Sequence, residues 1–439
     1  MAKKNKKYDI CVVGAGHVGL IAAVGFAKLG HKVICADNDK KKIEQLRRGK
    51  PVFYEPELQD LLKKVKGKNN LRFSNSLADA AKRSEVIFIA VGTPPLADGS
   101  ADLASIESVA RTIADNLNSY KLIVGKSTVP VQTGQKIKEV INRYKKNSVP
   151  FDIASNPEFL REGKAIYDFF HPDRIVLGVE SKRAEKALRD IYRDIKTKVI
   201  VTDIAAAEII KHASNSFLAT KISFVNAVAR VCDKAGADIK SVAAAMGLDK
   251  RIGKSFLNAG VGFGGFCFPK DVEAFIYIAK RLGYEFDFLK EVRNVNIKQP
   301  GYFVEKIKEH LWILKNKKIA ILGLSFKPDT DDMRFSPAIS VVNNLVKEGA
   351  SLTLYDPQGI DEAKKVLKKS TKIKFAKDSY QAAKGCDCLC VLTEWEEFKK
   401  INLKKIKSNM NYPLLADGRN IFDKNKVTKL GFSYLGIGR

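Results

Sequence analysis

The chain has 439 residues, 45% hydrophobic and 29% charged, so it is too long for one ordinary hydrophobic core and too apolar to be disordered. Its net charge is +28, but the lysines are dispersed over predicted helix faces, which favours solvated surface charge over nucleic-acid binding. No apolar run reaches the roughly 18 residues of a membrane span. The basic N-terminus lacks an apolar segment, and the cysteine count is odd, at seven. We therefore expect a cytoplasmic protein without disulfides and without membrane contact.

Short apolar runs alternate with helical periods in the N-terminal part of the chain, which predicts βαβ units and a parallel sheet. The predicted strands are Tyr8–Val13, Lys32–Ala36, Glu85–Val91, Lys121–Gly125, Phe151–Ala154, Arg174–Val179 and Val199–Thr202. A long helix is predicted from about Ile204 to Arg230, and more helix follows to about Arg293. Alternation then returns, with predicted strands at Lys318–Leu322, Ser351–Tyr355, Cys388–Leu392 and Leu414–Ala416.

This order predicts an α/β protein with two Rossmann-like α/β domains joined by a long central helix and a helical connector. The predicted domains are residues 1–203, 204–300 and 301–439.

A dinucleotide site is predicted where the first strand ends. Gly14, Gly16 and Gly19 have the G-x-G-x-x-G spacing between a strand and a helix, as a pyrophosphate-binding turn requires. The next strand ends in Asp37, at the distance where an acid binds the ribose hydroxyls. A carboxylate there would repel a 2′-phosphate, so we predict NAD as the cofactor.

Cys267 is the candidate nucleophile, because it ends the glycine-rich segment GVGFGGFC instead of lying in an apolar run. A thiolate there can attack an aldehyde, and loss of a second hydride then gives a thioester that water cleaves. Cys386, Cys388 and Cys390 alternate as one face of a strand would, which indicates core. The five histidines form no ligand cluster, so we predict no metal.

Other polar residues allow two interpretations each. Lys211 and Asn215 share a helix face and could stabilise an oxyanion or simply face solvent. Ser127 and Thr128, in STVP, follow a strand and could be ligands or helix caps. Glu158 and Glu162, in NPEFLREG, are expected at a helix start, where acidic residues are common without function.

Several long motifs, in order, resemble the UDP-glucose/GDP-mannose dehydrogenase family, and most of all the branch that oxidises UDP-glucose. They are GAGHVGL, GTPP, STVP, NPEFLREG with PDRIV, AEIIKHASNSFLATKISFVN, GVGFGGFCFPKD, FKPDTDDMR and YDP. The resemblance runs from about Tyr8 to the end of the chain. It implies an N-terminal NAD domain, a central helix that builds a homodimer or higher homo-oligomer, and a C-terminal domain for the UDP half of the substrate.

The resemblance also implies roles for residues that match the family motifs. Catalytic roles fall on Cys267, Lys211, Asn215, Asp271, Glu158 and Thr128. NAD contacts fall on Gly14, Gly16, Val18, Gly19, Asp37, Lys42, Thr93, Thr128, Glu158, Lys270 and Arg334. Substrate contacts fall on Phe159, Leu160, Glu162, Lys211, Asn215, Arg251, Phe256, Asn258, Gly264, Lys327 and Arg419. The implied reaction is the four-electron oxidation of UDP-glucose to UDP-glucuronate.

Three alternatives remain open at this point. A sister enzyme would oxidise UDP-N-acetylmannosamine or UDP-N-acetylgalactosamine by the same chemistry. A two-electron hydroxyacid dehydrogenase of similar build would not need Cys267. A basic nucleic-acid-binding protein would show affinity that falls steeply with salt.

Overall fold

The computed structural model describes residues 6–439, which divide into two compact units. The first unit contains the residues up to Ser214 together with Glu273–Gly283, and the second contains Asn215–Val272 together with Tyr284–Arg439. The three-domain division stays a prediction. Within residues 6–439, no helix combines the length and hydropathy needed to cross a membrane.

An eight-stranded sheet forms the centre of the first unit. Its strands are β1 (Asp9–Val13), β2 (Lys32–Ala36), β3 (Leu71–Ser74), β4 (Val86–Ile89), β5 (Lys121–Gly125), β6 (Phe151–Ser155), β7 (Arg174–Val179) and β8 (Lys198–Thr202). The helices between them are α1 (His17–Lys28), α2 (Lys40–Arg47), α3 (Leu58–Gly67), α4 (Leu77–Lys82), α5 (Ala104–Asp115), α6 (Thr133–Tyr144), α7 (Ala165–Phe170) and α8 (Lys182–Ile191).

The strand order is β3-β2-β1-β4-β5-β6-β7-β8. Every neighbouring pair is parallel except β6 and β7, which run antiparallel. The wholly parallel sheet expected from the sequence is therefore wrong at this pair. The physical reason is that the connection between them carries only the short helix α7, and the chain reverses instead of crossing over.

Both faces of the first sheet are covered. Along β1, Ile10 and Val12 belong to one hydrophobic cluster, whereas Cys11 and Val13 belong to another. Successive side chains on a strand point to opposite faces, so a run of apolar residues buries both. This is why the strands of the first unit could be recognised as continuous apolar runs.

The long helix α9 (Ile204–Ala235) passes from the first unit into the second. It ends at Ala235 instead of about Arg230, and it is followed by Gly236, whose φ of 70° is left-handed and stops the helix. The remaining elements are α10 (Ile239–Leu248), α11 (Cys267–Arg281), α12 (Asp287–Leu311), β9 (Lys318–Leu322), α13 (Pro337–Lys347), β10 (Ser351–Tyr355), α14 (Ile360–Val366), β11 (Ile373–Phe375), α15 (Ser379–Ala383), β12 (Cys388–Val391), α16 (Glu396–Lys399), α17 (Leu403–Asn409), β13 (Leu414–Asp417), α18 (Lys424–Lys429) and β14 (Ser433–Gly436).

The second unit is built on a six-stranded parallel sheet with the order β11-β10-β9-β12-β13-β14. Cys388 and Cys390 are fully buried in the same cluster, as predicted for core residues. Cys386 is also buried, but it precedes β12 and packs in the opposite cluster, so the prediction of one shared face is wrong for this residue. The two α/β sheets and the long central helix confirm the predicted fold class.

Candidate functional site

The glycine-rich turn joins β1 to α1 in the first unit. Gly14 has a φ of 99°, and a Cβ there would lie 2.5 Å from the carbonyl oxygen of Ala90. A Cβ at Gly19 would lie 1.9 Å from the carbonyl oxygen of Gly14, so this glycine lets α1 pack against the turn. A Cβ at Gly16 would meet no protein atom within 4 Å. Gly16 thus leaves the backbone at the start of α1 open to a pyrophosphate.

Asp37 follows β2 and is held beside this turn. Its carboxylate accepts hydrogen bonds from the backbone N–H of Ala15 at 2.7 Å and of Asp39 at 3.0 Å. The Nζ atom of Lys42 lies 3.3 Å from the same carboxylate. The residues expected at a ribose are therefore together, and the carboxylate disfavours a 2′-phosphate. Val18 lies on the first turn of α1 and is half-buried.

The loops after β4 and β5 are tied to each other. The hydroxyl of Thr93 donates to the carbonyl oxygen of Thr128 at 2.9 Å. The hydroxyl of Ser127 donates to the carbonyl oxygen of Val91 at 2.6 Å. Neither Ser127 nor Thr128 caps a helix, because α6 begins only at Thr133. The cap interpretation is wrong for both residues.

Glu158 and Lys211 form a buried ion pair in the first unit. Glu158 Oε1 lies 3.0 Å from Lys211 Nζ, and Glu158 Oε2 accepts from the N–H of Leu160 at 2.5 Å. The expectation that Glu158 and Glu162 lie at a helix start is wrong, because the helix that follows begins at Ala165. A solvent-exposed position for Lys211 is also wrong, since only 3% of the residue is exposed.

The Phe159 ring lies close to two cations. The Arg174 guanidinium is 3.8 Å from the ring centroid, and Lys211 Nζ is 5.4 Å from it. Both distances allow cation–π attraction, which fixes the loop after β6 against α9 within the first unit. Sequence reasoning did not single out Arg174, although it follows the HPD sequence at the start of β7.

Cys267 is the first residue of α11 and belongs to the second unit. It is partly exposed, whereas the other six cysteines are buried. The preceding glycines are needed by the protein's own packing. A Cβ at Gly264 would lie 2.4 Å from the carbonyl oxygen of Phe335, and one at Gly265 would lie 2.6 Å from the Phe326 ring. The glycines therefore let the chain reach Cys267 through a crowded space.

Asp271 lies one turn after Cys267 and is shared by two partners. The Nδ2 atom of Asn215 donates to Asp271 Oδ2 at 2.6 Å, and Lys270 Nζ lies 2.6 Å from Asp271 Oδ1. All three residues are buried, so the solvent-facing alternative for Asn215 is wrong. The arrangement fixes both oxygens of the carboxylate at the start of α11.

The basic residues predicted to meet the substrate or cofactor from the second unit differ in their surroundings. Arg419 donates to the carbonyl oxygens of Leu392, Gly262 and Phe326 at 2.8, 3.0 and 3.2 Å, so it braces three loops. Arg334 and Arg251 are exposed and form two-pronged ion pairs with the acids two residues before them in the chain. Lys327, Phe256 and Asn258 are at least partly exposed on this unit.

The structure therefore divides the predicted site residues between the two units. The first holds the glycine turn, Asp37, Lys42, Thr93, Thr128, Glu158–Glu162 and Lys211. The second holds Asn215, Arg251, Phe256, Asn258, Gly264, Cys267, Lys270, Asp271, Lys327, Arg334 and Arg419. Among residues 6–439 no group of three or more His, Cys, Asp or Glu side chains is arranged to hold a metal ion.

Comparisons with known proteins show the family to which the chain belongs. Sequence profiles of the UDP-glucose/GDP-mannose dehydrogenase family match residues 8–196 as its NAD-binding domain, 205–298 as its central domain and 320–424 as its UDP-binding domain. The chain is 42% identical to UDP-glucose 6-dehydrogenase TuaD of Bacillus subtilis over 98% of this chain and 93% of that protein.

Solved structures are similar over the whole chain as well. A UDP-glucose dehydrogenase from Pyrobaculum islandicum is 37% identical with a TM-score of 0.93, covering 100% of this chain and 99% of the other. A UDP-D-ManNAc dehydrogenase from Pyrococcus horikoshii is 27% identical with a TM-score of 0.86, covering 98% and 99%. The glycine turn, Asp37 and the matched NAD-binding domain make NAD the cofactor. The chain is an NAD-dependent oxidoreductase and belongs to the UDP-glucose/GDP-mannose dehydrogenase family.

Proposed function

We propose that this protein oxidises UDP-glucose to UDP-glucuronate in two successive two-electron steps, with Cys267 as the nucleophile. The observation that carries the proposal is the position of Cys267: a partly exposed thiol at the first turn of α11, one turn before the fixed carboxylate of Asp271. The partial positive charge at a helix N-terminus stabilises a thiolate. A simple alcohol dehydrogenase needs no such group.

The reaction balances as follows. The sugar's primary alcohol loses a proton and a hydride and becomes an aldehyde. The Cys267 thiolate adds to that carbonyl carbon to form a thiohemiacetal, which loses a second proton and hydride to become a thioester. Water then breaks the carbon–sulfur bond, which releases the carboxylate and returns the thiol. The glycine turn and Asp37 would hold NAD, which would supply the hydride acceptor, with one NAD molecule used in each oxidation.

The surrounding residues have distinct proposed roles. Lys211 and Asn215 stabilise the oxyanions of the oxidation and thioester steps. Asp271 assists proton transfer through water, and Glu158 and Thr128 orient the water that cleaves the thioester. The buried Lys211–Glu158 pair and the Asn215–Asp271 hydrogen bond support these roles, because each places a charged or amide group in a fixed orientation.

The experiment is to supply NAD and UDP-glucose to the purified protein and count NADH per sugar consumed. We expect the wild type to form two NADH per UDP-glucose. Cys267→Ser should fail to complete the reaction, whereas the control Cys232→Ser, at a buried cysteine, should form NADH as the wild type does. One NADH per sugar would refute the thioester route. Turnover of UDP-N-acetylmannosamine or UDP-N-acetylgalactosamine instead of UDP-glucose would move the substrate to the sister branch; the higher identity to UDP-glucose dehydrogenases favours glucose.

We also propose that the protein is a homodimer built on α9. Phe217, Phe224 and Val231 lie seven residues apart on this helix and are 66%, 54% and 65% exposed. Seven residues make about two helical turns, so the three share one face. A row of exposed apolar side chains is what a subunit interface covers. Phe224→Asp should convert the dimer to a monomer in light scattering, whereas Trp312→Asp, at an exposed residue elsewhere, should not. A monomeric wild type would refute the proposal.

A further inference from the structure

Two buried lysines flank β5 at its opposite ends. Lys121, at the start of the strand, is 2% exposed and donates to the carbonyl oxygens of Ser84 at 2.7 Å and Lys82 at 3.1 Å. Lys126, immediately after the strand, is 5% exposed. The carboxyl ends of parallel strands are where α/β sheets place their ligands. Only Lys126 is at that end, and it directly precedes the STVP loop.

The Lys126 ammonium holds Asn156, the first residue of the NPEFLREG segment. Lys126 Nζ donates to Asn156 Oδ1 at 3.0 Å and to the Asn156 carbonyl oxygen at 3.3 Å. The Tyr192 hydroxyl donates to the same Oδ1 at 2.6 Å, and Asn156 Nδ2 donates to the carbonyl oxygen of Val176 at 2.9 Å. These partners fix the orientation of the Asn156 amide. Pro157 restricts the backbone that leads from it to Glu158.

Lys126 is also close enough to the Glu158–Lys211 pair to interact with both charges. Burial lowers the pKa of Lys126 to about 8, while Glu158 raises it and Lys211 lowers it. The Tyr192 ring also lies near the ammonium, with its centroid 5.9 Å from Lys126 Nζ. A pKa of about 8 means that Lys126 changes charge close to pH 8.

We propose that Lys126 is a positioning residue whose ammonium holds Asn156, and through it Glu158, in the orientation that the oxidation and thioester cleavage require. The proposal rests on the proposed function, because Glu158 and Lys211 are assigned to the chemistry there. In this proposal, Lys126 acts on the reaction only through other residues, by setting the geometry and the electric field of the Glu158–Lys211 pair.

The test compares Lys126→Met with Lys121→Met, its matched control. Both substitutions replace a buried ammonium at an end of β5 with an apolar side chain of similar length, so they differ in what that ammonium contacts. We expect Lys126→Met to lower kcat by about 10- to 100-fold, as for a displaced reacting group, with little change in KM. Lys121→Met should keep the wild-type kcat. The wild-type kcat should fall above pH 8 as Lys126 loses its proton, and this fall should be absent in Lys126→Met.

Lys126→Arg supplies a second readout, because it keeps a positive charge at all pH values used. It should recover part of the lost kcat and show no fall near pH 8. Equal kcat in Lys126→Met and Lys121→Met, or a wild-type fall near pH 8 that persists in Lys126→Met, would overturn the proposal. The variants are compared on whichever UDP-sugar the wild type oxidises, so a wrong substrate would defeat the proposed function without affecting this comparison.

Discussion

Substitutions of two glycines in the turn after β1 should affect the stability of the protein and its affinity for the cofactor separately. Ordinary van der Waals contact begins at 3.4 Å, whereas a Cβ at Gly19 would lie 1.9 Å from the Gly14 carbonyl oxygen. Gly19→Ala therefore requires α1 to move by about 1.5 Å from the turn in a close-packed core. Overpacking of this kind costs about 1–3 kcal/mol. We expect the free energy of unfolding to fall by about that amount.

Gly16→Ala should behave in the opposite way. Gly16 has φ −78° and ψ −171°, an extended conformation open to any residue, and its added Cβ would meet no protein atom. The free energy of unfolding should stay within about 0.5 kcal/mol of the wild type. The methyl group would stand where the pyrophosphate approaches the backbone, so the Kd for NADH should rise by about 10- to 100-fold, equivalent to about 1.4–2.8 kcal/mol.

The assays are urea unfolding without cofactor and fluorescence titration with NADH, both on the full chain. The wild type and both variants are measured side by side. The reasoning would be refuted if Gly16→Ala bound NADH as tightly as the wild type, or if it lost as much stability as Gly19→Ala.

Two further predictions concern groups outside the turn. Arg419→Lys should lower the free energy of unfolding, measured in urea, by about 1–3 kcal/mol. The reason is that one ammonium cannot replace the hydrogen bonds that the guanidinium makes to three carbonyl oxygens. An unchanged free energy of unfolding would contradict the role of Arg419 in bracing these loops. Burial raises the pKa of Glu208 to about 7, although the N–H groups of Gln132 and Gly134 bond its carboxylate. The stability that this raised pKa contributes is fully present below the unfolded value near 4.3 and is lost as pH rises through 7. Between pH 5 and 8 the free energy of unfolding of the wild type should therefore fall by up to about 3 kcal/mol more than that of Glu208→Gln. If the free energies of unfolding of the two proteins changed in parallel with pH, this prediction would be contradicted.

The strands missed by sequence reasoning lie at sheet edges. They are β3, β11 and β14, whereas the central strands were placed almost to the residue. A central parallel strand is buried on both faces and needs a continuous apolar run. β11, with the sequence IKF, is only half-buried and has no such run. β8 is also an edge strand, but KVIVT is rich in β-branched residues and was recognised for that reason.

The sequence motifs predicted individual site residues better than they predicted which of these residues contact each other. The glycine spacing and Asp37 lie within one βαβ unit, so sequence distance alone brings them together. Asn215 and Asp271 are 56 residues apart, and their hydrogen bond depends on how α9 and α11 pack within the second unit. The prediction that the NPEFLREG segment begins a helix is wrong. The Glu158 carboxylate instead accepts a hydrogen bond from the nearby N–H of Leu160 and does not support a helical turn.

The buried charges of the first unit are better explained by chemistry than by stability. Lys126, Glu158 and Lys211 are each at most 6% exposed, and they carry a net positive charge. Removing charges from water costs several kcal/mol per ion, and apolar residues of similar size often give equal or greater stability. Lys121 shows that backbone carbonyl oxygens can accept hydrogen bonds from a buried ammonium. Lys126, Glu158 and Lys211 instead combine two cations with one carboxylate, an arrangement that costs stability. Under the proposed mechanism, it holds a positive field where an oxyanion would form.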